Sequence, residues 1–263
     1  SVGNVSAEAV DNYIKNTREH DSFPEVTTNG MLLNSKNSEL LVKNGLGGVI
    51  VSVDSADHEE FMRIRKHVNP NIVENNIKDF VRNYNTTVQI SINSVIHDYS
   101  RKHLFGMVEY AINTEVDSIQ FLHLINSMNE KQFAKGIFGS ELKESLAKTF
   151  EDMRLIGKKN GLLIITPEIE QKHRDCELLK KSIAIAINGH TNPCCRLDRP
   201  DMAYDGTMPN DFEQILKQHE IFLETYKQRE FCNLCTALLW NYDVLMTKFK
   251  YTAEKKRGGK NGL

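Results

Sequence analysis

The feature that most constrains this chain is a regular alternation between short β-rich runs and amphipathic segments in its first two thirds. Five runs rich in Val, Ile, Thr or Leu occupy residues 25–28, 49–53, 87–93, 118–122 and 162–166. Between them apolar residues recur at helical spacing, as Val73, Ile77, Phe80 and Tyr84 do. This alternation predicts βα units around a parallel sheet, because parallel strands need crossover helices and are buried on both faces.

Size and charge exclude several classes of protein. The 263 residues, 40% of them hydrophobic, suffice for one large domain or for one domain with a small appendage. A net charge of −2 and the lack of an aromatic-plus-basic stripe argue against a nucleic-acid partner. No apolar stretch reaches the roughly 18 residues that span a bilayer, and no signal-peptide pattern is present. We therefore expect a cytoplasmic protein with no membrane partner.

The start of the chain suggests a fragment of a longer protein. It begins at Ser1, without an initiator Met. It then runs almost at once into a helix-like segment in which Val10, Tyr13 and Ile14 share one face.

After residue 168 the pattern changes to a predicted hairpin and a group of cysteines. An alternating run at residues 182–187 leads into Asn188-Gly189, a pair typical of β-hairpin turns. All the cysteines lie in this last third, and they are Cys176, Cys194, Cys195, Cys232 and Cys235. An odd, clustered set in a chain without an export signal favours metal ligation or free thiols over a disulfide framework.

Four of these cysteines are candidates for one metal or cluster site. Cys232 and Cys235 form a C-x-x-C pair, and Cys194 follows the predicted hairpin. Four thiolates suit either a structural Zn²⁺ or an iron-sulfur cluster, and spacing alone does not choose between them. A third interpretation is that some are ordinary buried thiols. We assign Cys195 to packing or to the surroundings of the ligands.

The cysteine block resembles the auxiliary-cluster extension of radical S-adenosylmethionine (SAM) enzymes called SPASM, or its shortened form, Twitch. The resemblance lies in Cys176, in Ile-Ala-Ile-Asn-Gly ending at Gly189, in Asn-Pro-Cys-Cys-Arg around Cys194, and in the Cys-Asn-Leu-Cys segment. The full SPASM pattern continues with further cysteines, and none follows Cys235 here. The resemblance therefore implies a Twitch-like domain over residues 169–247 with one auxiliary 4Fe-4S cluster. Its ligands would be Cys176, Cys194, Cys232 and Cys235.

The first part of the chain resembles the barrel of the same family. Thr28-Asn29-Gly30 is similar to the T-N-G at the end of the third barrel strand, and the segment from Ser52 to Arg65 is similar to the S-x-D…I-R stretch that follows. The resemblance implies a partial (β/α)6 barrel over residues 1–168, without its first strands. We expect residues 248–263 to be a disordered basic tail.

The same resemblance implies contacts with SAM. Ser52 would contact the ribose, and Arg65 would pair with the carboxylate. Gly3 and Asn4 stand where the family has the motif that receives the SAM amino group.

Polar residues at the ends of the predicted strands agree with such a site. Asn29, Ser52, Asp54 and Asn93 all stand at carboxyl ends, where ligands bind in parallel α/β structures. Each candidate also has a structural interpretation, such as a turn for Asn29, a helix cap for Asp54 and a solvated surface charge for Arg65.

The family's catalytic cluster needs a C-x3-C-x2-C motif, and the sequence has no cysteine before Cys176. The resemblance places this motif, and a second 4Fe-4S cluster, in a missing N-terminal segment, unless the chain is a degenerate relative.

The function that the resemblance implies is that of a radical SAM oxidoreductase or maturase. Such an enzyme uses a 5′-deoxyadenosyl radical on a peptide or sugar-like substrate, takes electrons from a flavodoxin or ferredoxin, and here would use the auxiliary cluster as electron acceptor. Two alternatives remain at this point. One is a non-catalytic iron-sulfur or zinc protein on the same scaffold, and the other is an unrelated α/β enzyme with a zinc-stapled tail.

Overall fold

The computed structural model describes residues 24–98, 100–123 and 140–167, apart from the side chains of 140–143. Beyond these it describes residues 169, 176, 179–180, 183–185, 189–194, 203–206 and 210–228. The described residues fall into two compact units, with a first unit up to Pro167 and a second unit after it.

The first unit alternates strands and helices along the chain. Its strands are β1 (Glu25–Thr28), β2 (Gly48–Ser52), β3 (Gln89–Ile96), β4 (Ser118–His123) and β5 (Leu163–Ile165). Its helices are α1 (Ser35–Lys43), α2 (His58–Ile64), α3 (Pro70–Tyr84), α4 (Arg101–Asn113) and α5 (Ser140–Lys159). The predicted α/β class is confirmed, and each strand begins and ends within three residues of its predicted limits.

The five strands form one parallel sheet in the order in which they occur along the chain, β1-β2-β3-β4-β5. Parallel crossovers are almost always right-handed, so a sheet wound in one direction carries its helices on one face. The other face is then left for a ligand or for the interior of a barrel.

Close contacts identify the helix-covered face. A Cβ at Gly30 would meet side-chain atoms of both Val51 in β2 and Val73 in α3, and a Cβ at Gly157 in α5 would meet Ile164 in β5. The ladder joins Val51 to Ile92, Ile92 to Ile119 and Ile119 to Ile164. Because side chains alternate between faces, this apolar row lies under the helices and the residues next to it point to the opposite face.

Polar side chains cap the helices of this unit. The side chains of Asn34, Asp57, Asn69 and Ser100 each accept a hydrogen bond from a backbone N–H in the first turn of the helix that follows. Such caps satisfy donors that have no partner inside the helix, so they fix where each helix begins. Asp57 accepts from the Glu60 N–H at 2.9 Å, which is the spacing of a capping box.

The second unit contains a hairpin and a helix. Strand β6 (Ala184–Ile185) pairs antiparallel with β7 (Thr191–Asn192), and α6 (Phe212–Thr225) is followed by a short 3-10 turn, Tyr226–Gln228. The predicted hairpin is confirmed, with Gly189 in the left-handed region at φ 82°. Ile185 pairs with Thr191, and residues 186–188 between them lie outside the described residues.

None of the helices in the described part of the chain is long and apolar enough to cross a membrane. The predicted tail at residues 248–263 lies outside the described residues, and the domain limits proposed from the sequence remain predictions.

The close approach of α5 to β5 gives a test of the packing. A methyl group at position 157 would lie 2.6 Å from the Leu162 carbonyl oxygen and 2.7 Å from Ile164. We expect Gly157→Ala to lower the free energy of unfolding by about 2 kcal/mol, because overpacking forces the helix away from the sheet. Chemical denaturation followed by circular dichroism measures the change.

Gly106→Ala in α4 is the matched control. The new methyl would have Ala56 Cβ as its nearest neighbour, at 4.0 Å. We expect this variant to gain up to about 1 kcal/mol from helix propensity. Equal losses in the two variants would contradict the packing described for α5.

Candidate functional site

A row of polar side chains crosses the sheet face opposite the helices. The register makes Ser52 in β2 the neighbour of Asn93 in β3, and Asn93 the neighbour of Gln120 in β4. Adjacent strands are about 4.8 Å apart, so the three side chains stand side by side. Ser52 and Asn93 are half-buried, and Gln120 is buried. The sequence candidates Ser52 and Asn93 are thus brought together near the carboxyl ends of their strands.

A second polar pair lies one layer below this row. Ser118 in β4 donates a hydrogen bond to Ser91 in β3 across 2.8 Å, and both side chains are almost fully buried. Their hydrogen bond satisfies both hydroxyl groups without a ligand. The row above it is different, because the Asn93 Oδ1 atom is buried and has no hydrogen-bond partner among the described residues.

A buried polar atom without a partner is energetically unfavourable and is uncommon in folded proteins. Asn93 Oδ1 is therefore an acceptor available to a ligand. Gln89, at the opposite end of β3, also has a buried amide group with no partner among the described residues. Gln89 and Gln120 were missed in the sequence analysis. The sequence pattern that could have identified Gln89 is the alternation of Gln89, Ser91 and Asn93 with isoleucines, which places these three polar residues on one face of the strand.

Asp54 joins the ends of three elements. It follows β2 and is 4% exposed. Its Oδ1 accepts a hydrogen bond from the Val95 N–H of β3 at 2.9 Å, and its Oδ2 accepts one from Arg65 Nε, just after α2, at 2.6 Å. Charge-assisted bonds of this kind are stronger than neutral ones. Asp54 therefore fixes the β2–α2 loop against the neighbouring strand.

Arg65 is held by this pair but keeps part of its guanidinium group available. Its side chain is 30% exposed, and the bond from Nε to Asp54 is its one side-chain hydrogen bond within the described residues. The two terminal nitrogens are the part that can bind a carboxylate in a fork geometry. From the sequence, Arg65 was expected to bind a ligand carboxylate. Its contact with Asp54 was not predicted.

Asn29 is exposed and takes part in a turn. Its Oδ1 accepts a hydrogen bond from the Met31 N–H at 3.1 Å, and Gly30 has a positive φ of 82°. The Asn76 side chain of α3 donates to the Gly30 carbonyl at 2.8 Å and so holds this turn on the helix. A role of Asn29 toward a ligand stays a prediction, and Gly3 and Asn4 lie outside the described residues.

The second unit brings two of the candidate cysteine ligands to one apolar cluster. Cys194, 9% exposed, belongs to a buried group with Leu179, Tyr204, Ile215, Phe222 and Tyr226, and Cys176 packs against the same group. The Cys176 N–H donates to the Tyr226 hydroxyl at 3.1 Å. Cys195, Cys232 and Cys235 lie outside the described residues, so the four-cysteine site stays a prediction.

A histidine in α6 holds the chain around these cysteines. His219 Nε2 lies 2.9 Å from the Leu179 carbonyl oxygen, and Nδ1 lies 2.8 Å from the Tyr204 hydroxyl. A carbonyl oxygen only accepts, so Nε2 carries the hydrogen and Nδ1 accepts from Tyr204. The Tyr204 N–H in turn donates to the Thr191 carbonyl of β7 at 2.9 Å. Both cysteine segments are thus tied to one helix.

Comparisons with known proteins bear on the fold. No protein-family model matches the sequence, and no curated protein matches it. The structure resembles Streptococcus suis SuiB bound to S-adenosylmethionine, with a TM-score of 0.58 and 16% identity over 88% of this chain and 56% of SuiB. SuiB bound to its precursor peptide SuiA gives a TM-score of 0.58 and 13% identity over the same shares of the two chains.

A second resemblance is to anSMEcpe with bound AdoMet, which is SAM, and Kp18Cys peptide. The TM-score is 0.54, with 18% identity over 96% of this chain and 81% of that one. At these identities the likeness establishes the fold. The resemblance to radical SAM enzymes predicted from the motifs is confirmed at that level, and the chain spans about 56% of the length of SuiB.

The Asp54–Arg65 pair gives a test of the site's framework. We expect Asp54→Ala to lower the free energy of unfolding by about 2–3 kcal/mol, because it leaves the Val95 N–H and a partly buried guanidinium without their acceptor. Urea denaturation measures the loss.

The matched control is Asp79→Ala, which removes another Asp–Arg pair. Asp79 and Arg82 lie on α3 with side chains 50% and 75% exposed. Exposed pairs contribute little, so we expect a loss below about 0.5 kcal/mol. Similar losses for the two variants would mean that Asp54 does not anchor the loop.

Proposed function

We propose that this chain is the larger part of a radical SAM enzyme that modifies a peptide, and that it binds SAM on the polar face of the sheet. The observation that carries the proposal is the row Ser52, Asn93 and Gln120 on a fold shared with SAM-bound proteins. In that fold ligands bind on the carboxyl-end side of the strands. Ser52 is the last residue of β2, and Asn93 lies three residues before the end of β3. The peptide substrate is proposed because SuiB and anSMEcpe bind peptides in their structures.

Each described candidate has a chemical role in this proposal. Ser52 and Asn93 offer hydrogen-bonding groups for the hydroxyls of a ribose. The terminal nitrogens of Arg65 suit the SAM carboxylate because a guanidinium group can donate two parallel hydrogen bonds to it. Asp54 does not touch the ligand in this scheme. It orients Arg65 and holds the end of β2 beside β3.

The cysteines are proposed as ligands of an auxiliary 4Fe-4S cluster. The residues present fit such a group, since Cys176 and Cys194 offer soft thiolates from one apolar cluster and low solvent exposure favours iron-sulfur ligation. Cys232 and Cys235 would supply the other two ligands. A bound cluster would provide a one-electron acceptor, and the residues around it would exclude water.

In this proposal radical initiation also needs a catalytic 4Fe-4S cluster held by three cysteines. Before Cys176 the sequence has no cysteine, so a C-x3-C-x2-C segment must be contributed from outside it. An oxidoreductase step, a second 4Fe-4S cluster and a flavodoxin or ferredoxin donor are therefore part of the proposal for the whole enzyme. A non-catalytic metal protein on this scaffold is the alternative, and it would bind metal through the cysteines without binding SAM.

The unpaired oxygen of Asn93 allows SAM binding and stability to be separated. Asn93→Ala removes an acceptor that has no hydrogen-bond partner among the described residues, so we expect little change in the free energy of unfolding, or a gain of up to about 1 kcal/mol. Loss of a ligand hydrogen bond should weaken SAM binding about tenfold. Ligand-observed NMR saturation transfer, which detects millimolar affinities, measures binding, and urea denaturation measures stability.

Asn83→Ala is the control, since Asn83 is exposed on α3 and its side chain donates to the Asp79 carbonyl of the same helix. It should bind SAM like the wild type. Equal saturation transfer for Asn93→Ala and the wild type would contradict the proposed site.

The cluster assignment has its own test. Cys194→Ser should remove most of the auxiliary iron and sulfide, because the cluster would lose a thiolate ligand that lies in the buried apolar group. Cys195→Ser, the matched control, should retain them. Iron, sulfide and zinc analysis of anaerobically reconstituted protein measures the outcome. Zinc without iron in the wild type would overturn the cluster and favour a zinc-stapled protein.

A further inference from the structure

Three metal-binding side chains meet at a second place in the first unit. Glu60 lies in the first turns of α2, His97 directly follows β3, and His103 lies in the first turn of α4. Each offers one ligand atom, and these atoms all lie within 4.8 Å of one another. Glu60 Oε1 is 3.2 Å from His97 Nε2, and Glu60 Oε2 is 3.9 Å from His103 Nδ1.

The two imidazoles are largely shielded from solvent. The side chain of His103 is 6% exposed, and its Nε2 has no partner among the described residues. The side chain of His97 is 16% exposed, its Nε2 lies 3.2 Å from Glu60 Oε1, and its Nδ1 has no partner among the described residues. Buried polar atoms are nearly always satisfied, so two shielded imidazoles around one carboxylate, each with a ring nitrogen that lacks a partner there, indicate a missing ligand.

The carboxylate is already oriented by its neighbours. Ser55 Oγ donates to Glu60 Oε2 at 3.1 Å and accepts a hydrogen bond from the Asp57 N–H at 3.1 Å. The two imidazole rings meet edge to face, with centroids 4.3 Å apart. Groups that fix the orientation of ligand side chains are a regular part of metal sites.

We propose that Glu60, His97 and His103 bind a divalent transition-metal ion, and that Zn²⁺ fits the site best. Two imidazoles and one carboxylate are a ligand set of catalytic zinc sites, which keep a fourth position open. With metal–ligand distances of about 2.0–2.1 Å, tetrahedral ligand atoms lie about 3.3 Å apart. The Glu60–His97 contact of 3.2 Å already agrees with this spacing. The ligand atoms all lie within 4.8 Å of one another, so His103 reaches it by a side-chain shift of at most about 1.5 Å.

The open position would face a cavity. Glu60 and His103 both line a cavity of about 810 Å³, together with Arg63 and Lys102. Asp57, Glu59 and Asp98 line the same cavity and offset the two basic residues, so water is the expected fourth ligand, as in catalytic zinc sites. The site differs in chemistry from the cysteine cluster, because it contains nitrogen and oxygen ligands and no thiolate.

Cobalt(II) is the probe that separates the two sites. Untagged protein is treated with a chelator, its thiols are alkylated, and Co²⁺ is added while the visible absorbance is recorded. We expect one equivalent to bind with ligand-field bands and no sulfur-to-cobalt charge transfer, and to be displaced by Zn²⁺. His103→Phe and Glu60→Gln should each weaken binding at least 100-fold. His67→Asn, which changes an exposed histidine, should bind like the wild type.

Folding of each variant is checked by circular dichroism. Glu60→Gln keeps the side-chain length and an acceptor for Ser55, so it remains informative if His103→Phe does not fold. A wild type that binds no Co²⁺ after alkylation, or a folded Glu60→Gln protein that binds it with unchanged affinity, would overturn the metal site. SAM binding measured on the same samples is independent of this outcome, so failure of the metal site leaves the proposed function standing.

Discussion

Parallel pairing of the strands in chain order is the constraint on which the first unit depends. Because each crossover returns to the same side, one face of the sheet takes the apolar side chains Val51, Ile92, Ile119 and Ile164, and the other is left with Ser52, Asn93 and Gln120. A sheet wound in two directions would carry helices on both faces and would cover these polar side chains. The candidate site is therefore a result of topology first and of individual residues second.

Much of this framework could be predicted from the sequence, because it depends on local periodicity. The β-rich run at residues 87–93 predicted a strand that ends at Asn93. The strand continues to Ile96, beyond the predicted Asn93, because β4 supplies pairing partners up to His123. The hairpin was predicted from Asn188-Gly189, and the pairing of Ile185 with Thr191 confirms strands on either side of that pair.

Contacts between distant residues could not be predicted in the same way. Asp54 and Arg65 were both selected as separate ligand candidates, and their contact depends on how α2 returns to the end of β2. Glu60, His97 and His103 carry no common motif, since they come from two helices and a strand end. Their proximity follows from the neighbouring positions of β2 and β3 in the sheet. Cys232 and Cys235 were selected from their C-x-x-C spacing, and they lie outside the described residues.

The outer strands of the sheet have a further consequence. In the described structure β1 and β5 each pair with one neighbour, so a line of backbone N–H and C=O groups remains at either side. Another strand can join there through main-chain hydrogen bonds alone, and such pairing depends little on side-chain identity. A strand that pairs with β1 or β5 is therefore held mainly by its backbone, and its sequence can vary widely without loss of the pairing.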